Sequence, residues 1–195
     1  MLVVLNSFGG GILAYVMLGK PAIIFTNELV IPTCIAVWFF THYLGGCSLL
    51  NSPPLKFLWT VFDALFRAHG VCNIVSVATK HLQATDYYPY CPMVGPILAG
   101  TLLGGIGVFL PFDKGLKPIS DGTPWPMQGS FMSAFFYHTV VHDKSGPIGI
   151  MARNIFGSYN ESTARLIIGT VWISTSIAQN FFDPAANLFT PFHKV

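Results

Sequence analysis

The chain has 195 residues, of which 52% are hydrophobic and 9% charged. A soluble globular domain carries roughly 25% charged residues, so this composition excludes an ordinary soluble domain and points to a membrane. The net charge of +2 comes from ten Lys and Arg that form no basic cluster, so charge signals neither nucleic acid nor an anionic membrane surface as a partner.

Cys34, Cys47, Cys72 and Cys91 are scattered without a CxxC pair, which predicts neither a disulfide framework nor a zinc site. The first apolar run begins at Leu2, with no basic leader and no small-residue cleavage site, and is expected to be a first spanning helix rather than a signal peptide. It is uncharged to Leu18, near the lower limit of about 20 residues for a span. Gly9, Gly10 and Gly11 interrupt it. Each weakens a helix by up to about 1 kcal/mol against alanine, so a kink or a very close helix contact is expected there. Lys20 and Pro21 end the run.

A second segment is expected from about residue 28 to 44, with Thr26 or Asn27 as N-cap and Glu28 in the first turn, where an anion suits the helix dipole. Trp38, Phe39, Phe40, His42 and Tyr43 crowd its far end as an interfacial aromatic belt. After the turn-rich LGGCSLLNSPP, a third segment over about 55–80 carries charge inside an apolar run. Asp63 and Arg67 stand four residues apart, acid first, the better order for an ion pair on one helix face. Charge inside a membrane helix usually faces a bundle interior or a water-filled cavity, so the pair reads either as lining for a path or as a buried lock between helices. With Asp63 at zero on a wheel of 100° per residue, Arg67 falls at about 40°, and His69, Asn73, Ser76 and Lys80 gather between about 220° and 280°.

A fourth segment over about 92–112 is uncharged from Met93 to Leu110 and rich in glycine, including Gly104 and Gly105, so its GGIG echoes the earlier GGG. In each half a glycine-rich helix is followed by a charged loop and two further apolar helices, which suggests two three-helix repeats bringing interrupted helices together near the midplane. A fifth segment spans about 125–142. It ends with His138 and His142 at the i, i+4 spacing that can hold a metal, but with only Asp143 adjacent and no third ligand evident, no metal site is expected. A long connection containing the sequon Asn160-Glu161-Ser162 leads to a sixth segment over about 164–182, which opens near Arg165. Lysine and arginine balance between alternate loops, so the positive-inside rule gives no orientation.

In order and spacing, FGGGILAYVMLGKP, TNELVIPTCIAVWFF, the charged third segment, LLGGIG, FFYHT and DPAANLFTPF resemble the trimeric intracellular cation (TRIC) channels. FGGGILA is the most specific part. The resemblance implies an all-α membrane protein with TRIC-like inverted three-helix repeats and glycine-kinked helices, in one transmembrane domain covering residues 1–195. Its six segments would match helices two to seven of the family's seven, with no counterpart to the first. It also implies homotrimers with a potassium pathway in each protomer, in an intracellular membrane such as the endoplasmic reticulum. The family's Lys-Glu-Val-x-Arg motif, which serves pore and phosphoinositide, aligns with Asp63-Ala64-Leu65-Phe66-Arg67. Arg67 stands on the family's arginine, while Asp63 replaces its lysine and Ala64 its glutamate. His138-Thr139 resembles a His-Thr pair in the family's sixth helix, which favours a structural role.

Two functions follow as expectations. One is a monovalent cation channel lined by Asp63, Arg67 and Asn73, with Gly9, Gly10, Gly11, Gly104 and Gly105 as kinks. The other is a non-conducting structural or linker subunit held among other membrane subunits. Apart from bound lipid no cofactor is expected. A pigment or haem role is disfavoured by the scattered histidines, and no nucleophile-base constellation or phosphate loop signals an enzyme.

Overall fold

The computed structural model describes residues 2–83, 92–109, 124–143, 146–157 and 159–183. Among them every regular element is helical. Helix α1 is Leu2–Met17, followed by the single turn α2, Ile23–Thr26, then α3, Val30–Tyr43, and the short α4, Gly46–Leu50. Helix α5 is Pro53–Gln83, and α6, Val94–Gly105, tightens into a 3-10 turn over Ile106–Phe109. Helix α7, Trp125–Tyr137, loosens into a π turn over His138–His142. Helix α8 is Pro147–Phe156, and α9, Glu161–Ile177, also ends in a π turn, Ala178–Phe182.

The fold is arranged around α5. Pro53 and Pro54 sit in its first turn, where a missing N–H costs nothing, and Lys80 and His81 lie in its last turn, where cations suit the dipole. At 31 residues and 1.5 Å per residue it is about 46 Å long. Among the described residues it alone is both long and apolar enough to cross a bilayer; Phe8–Met17, Val30–Tyr43 and Val94–Gly105 are shorter apolar helices. One flank of α5, Ala64, Ala68, Val71, Cys72 and Val75, packs with Ile97 of α6, Ala134 and Tyr137 of α7, and Ala164, Ile168 and Trp172 of α9. On the other flank Ile74 and Ala78 meet Ala14, Leu18 and Ala99. Small residues at these seams let the backbones approach closely. The outside is apolar: Phe25, Leu29, Phe66, Val94, Leu166 and Phe182 are each more than 70% exposed. Helix α3 buries none of its residues.

Several expectations are corrected. The second segment starts at Val30 rather than near Glu28, because the Asn27 Oδ1 accepts the Leu29 N–H at 3.0 Å and caps the preceding turn. The fourth segment leaves α-helical geometry at Gly105. The connection after His142 is not a plain loop: Pro147 opens α8, and the Asp143 carboxylate accepts the Gly146 and Gly149 N–H groups at 2.8 and 2.9 Å, capping that helix. The last helix begins at Glu161, three residues before the expected start, because the Asn160 Oδ1 accepts the Thr163 N–H at 2.8 Å. Cys91, the loop with Lys114 and Lys117, and DPAANLFTPF from Pro184 onward lie outside the described residues.

Candidate functional site

Helix α5 presents two polar regions, one facing outward and one facing α7 and α9. Outward, Asp63 and Arg67 form an ion pair with Arg67 Nε 2.9 Å from Asp63 Oδ2. Both side chains are roughly half exposed, at 48% and 41%, so the pair lies on the surface of the described bundle and is not enclosed by it. Asp63 lines an open groove of about 500 Å³ with Trp59, Phe62, Leu65, Phe66 and His69. Asn73 is exposed one turn beyond His69 on the same helix. In water an i, i+4 pair of this kind contributes about 0.3–0.5 kcal/mol.

Toward α7 and α9, a connected set of hydrogen bonds joins three helices, running from the buried Ser76 and Tyr137 to the exposed His69 and Glu161. Ser76 Oγ of α5 lies 3.0 Å from the Tyr137 hydroxyl of α7 and 3.2 Å from His142 Nε2 in the π turn. The Tyr137 hydroxyl donates to Glu161 Oε1 at 3.1 Å. Arg165 donates to the same oxygen at 2.8 Å and reaches back to His69 Nδ1 of α5 at 3.2 Å. Its guanidinium also lies 5.7 Å from the centre of the Tyr137 ring. Beside this set the fully buried His138 places Nδ1 3.3 Å from the Thr79 hydroxyl. The π turn that orients His138 and His142 is closed by the Asp143 N–H donating to the His138 carbonyl. The two imidazole centres stand 5.9 Å apart, and both face hydroxyl groups. Among the described residues no group of three or more His, Cys, Asp or Glu could hold a metal ion.

Glu161 lies just outside the sixth expected span. Hydrogen bonds from Arg165 and then Tyr137 hold its carboxyl below the ordinary value of 4.5. A depressed folded value contributes stability that is complete above 4.5 and is lost as pH falls through the folded value. Glu161→Gln is therefore expected to flatten the acid limb of a stability-against-pH curve and leave its shape above pH 5 unchanged, as followed by thermal unfolding in micelles at about half-unit pH steps.

The glycines act at the helix seams. A Cβ on Gly10 would lie 2.6 Å from the Leu102 carbonyl oxygen and closer still to that of Leu103, so α1 meets α6 backbone to backbone there. On the far side of α6, a Cβ on Gly104 would collide with Ser130 of α7, and one on Gly105 would lie 3.0 Å from Met127 Cα. Gly11 has open space beside it, and Gly9 is half-buried. Of the expected site residues, the fold thus pairs Asp63 with Arg67, leaves Asn73 exposed further along α5 and apart from that pair, and seats Gly10 and Gly104 at the two seams of α6. It adds Ser76, Tyr137, Glu161 and Arg165 as a polar set. The sequence carried one signal for this set, the position of Ser76 on the polar arc of the third segment.

No protein-family model and no curated protein sequence matches the chain. Its fold is nonetheless that of a TRIC channel, an all-α architecture. It superimposes on the structure of a trimeric intracellular cation channel from C. elegans with bound Ca2+ at a TM-score of 0.62 and 17% identity, covering 89% of this chain and 72% of that one.

Proposed function

We propose that this chain is an integral membrane protein working as a TRIC-like monovalent cation channel, with potassium as the conducted ion. The observation that carries the reading is the fold likeness across 89% of the chain. The apolar exterior supports the membrane: apolar surface of this extent would drive aggregation in water, whereas in lipid it is matched. In this reading Asp63, Arg67 and Asn73 line the path. Asp63 and Arg67 are half-exposed on the described bundle, and assembly as a homotrimer is part of the same proposal. An intracellular membrane, the endoplasmic reticulum above all, is the expected location, and lipids are the only small molecules required.

One observation favours a second reading, a non-conducting structural subunit held among other membrane subunits. Arg67 is already engaged by Asp63 at 2.9 Å, so a cation site built on separate charges is neutralised within one helix turn. Planar-bilayer recording of the purified chain separates the two. The channel reading expects a potassium current that rises severalfold in Asp63→Lys, where the internal pair is gone, and changes in Arg67→Ala. Silence from wild type and both variants, with purification only alongside other subunits, establishes the second reading instead.

A further inference from the structure

Two lysines mark how α5 sits in a bilayer. Lys56, near its start, donates to the Asn180 carbonyl at 3.4 Å and lies 5.3 Å from the centre of the Phe181 ring, at the end of α9. Lys80 stands in its last turn. The helix is unbroken between them, and 24 positions at 1.5 Å each separate them by about 36 Å. That length exceeds a hydrocarbon core of about 30 Å and falls short of the roughly 40–45 Å that includes the headgroups. Both lysines therefore reach headgroup level, and Asp63 and Arg67 lie between those levels.

Helix α8 belongs to the boundary at Lys80. His138, which opens the π turn, has Nδ1 3.3 Å from the hydroxyl of Thr79, the neighbour of Lys80, and Asp143, which closes that turn, caps α8. A Cβ on Gly149 would collide with the Asp143 carbonyl, and the Phe156 ring lies edge-on to that of Phe136 at 5.7 Å, so one face of α8 is held against the end of α7. With Pro147 at zero on a wheel of 100° per residue, the buried Ala152 and Gly149 fall at about 140° and 200°. Met151, Ile155 and Ile148, all exposed, occupy the neighbouring arc from about 40° to 100°. Arg153 and Asn154 fall at about 240° and 340°, with Ile150 the one large apolar residue between them. Arg153 is the only charge on the helix.

We propose that α8 is an interfacial helix: it seats Met151, Ile155 and Ile148 in the acyl chains just beneath the headgroups and turns Arg153 and Asn154 toward phosphate and water. Helix α8 takes this place only if the chain spans a bilayer, as the proposed function has it, and takes it whether or not the chain conducts. Charge at this end of the bundle matches headgroup phosphate. Leu18 of α1 packs in one cluster with Ala78 of α5, which brings Lys20 to the level of Lys80, and Arg153 is a third cation. Of the acids described near this end, Asp143 is engaged in capping α8 and Glu161 with Arg165, which leaves Glu28 to set against the three. Size decides against a protein as the occupant. A stripe of three side chains is far smaller than the roughly 20–30 residues a side of a stable protein–protein interface. An apolar face sunk about 5–10 Å into the headgroup boundary is the ordinary state of an amphipathic surface helix.

Spin labels on the full chain in vesicles of phosphatidylcholine with added phosphatidylglycerol test the placement. Met151→Cys, Asn154→Cys and Leu166→Cys, all at exposed positions, each receive a nitroxide after Cys34, Cys47 and Cys91 are changed to Ser. Cys72 is 1% exposed and stays unlabelled. Collisions of each label with oxygen, which concentrates in acyl chains, are compared with collisions with a water-soluble nickel chelate. The oxygen-to-nickel ratio at Met151 is expected to be several times that at Asn154. Similar or reversed ratios at the two sites overturn the proposal, with both labels in water, both in acyl chains or both shielded by protein. Leu166 on α9 reads the bilayer itself. A high ratio there beside similar ratios on α8 rejects the placement of α8 alone, and a low ratio there rejects the spanning of the membrane along with it.

Discussion

Gly10→Ala unseats α1 from α6 and costs the fold about 2–3 kcal/mol, the upper part of the range for forcing extra atoms into a packed seam. The added methyl would meet the carbonyl oxygens of Leu102 and Leu103, with Ile106 Cγ2 a further 2.9 Å neighbour. Backbone oxygens cannot swing aside as a side chain can, so one helix has to move. Gly11→Ala is the control. The same methyl one residue later meets nothing within 4 Å and should be neutral or stabilise by up to about 1 kcal/mol, since alanine is the better helix former. Thermal unfolding of the two variants, followed by tryptophan fluorescence in one detergent, should therefore give shifts that differ in size and sign. Equal shifts would mean that α1 does not sit on α6 through Gly10.

Trp172→Ala is expected to cost about 3–5 kcal/mol, the range for emptying a large aromatic site. Trp172 is 1% exposed, donates from Nε1 to Ser133 Oγ at 2.9 Å, and lies with its ring centre 5.9 Å from that of Trp125. It is the largest side chain by which α9 enters the core around α5. Trp172→Phe keeps most of the volume and loses the hydrogen bond, so a loss nearer 1 kcal/mol is expected from it on that account. Chemical denaturation of the three proteins checks the order, and similar midpoints for alanine and phenylalanine would show that packing contributes little.

The helices were legible because apolar runs and their glycine and proline breaks are local properties. The four-residue spacing of Asp63 and Arg67 likewise fixed a shared face. It could not tell which way that face turns, because a helical wheel is silent about neighbours, and here α6, α7 and α9 take the other sides of α5. Helix α8 was hidden by Gly146, Pro147 and Gly149, residues that read as turn. Its start depends on the Asp143 carboxylate, which lies before the helix and caps it by folding back. The polar set was illegible for a different reason. Ser76 and Tyr137 are 61 positions apart, and Tyr137 and Glu161 are 24, so no window of sequence holds them together. Glu161 read as the middle of a sequon and Arg165 as the start of a span. His138 and His142 showed the spacing of metal ligands, but that spacing serves equally to aim two imidazoles at the hydroxyls of α5.

The π turns at the ends of α7 and α9 have a consequence for numbering along the chain. Each is closed by an N–H that reaches back five residues instead of four, from Asp143 to His138 and from Asp183 to Ala178. Each therefore holds one residue beyond the α-helical count, and a residue is worth about 100° of rotation. Removing one residue between Tyr137 and Asp143 would restore regular winding at the cost of turning His142 and Asp143 by that angle, away from Ser76 and from the first turn of α8. The extra residue is thus a phase shift kept in place by its downstream contacts, and it sets the direction in which the chain leaves the bundle.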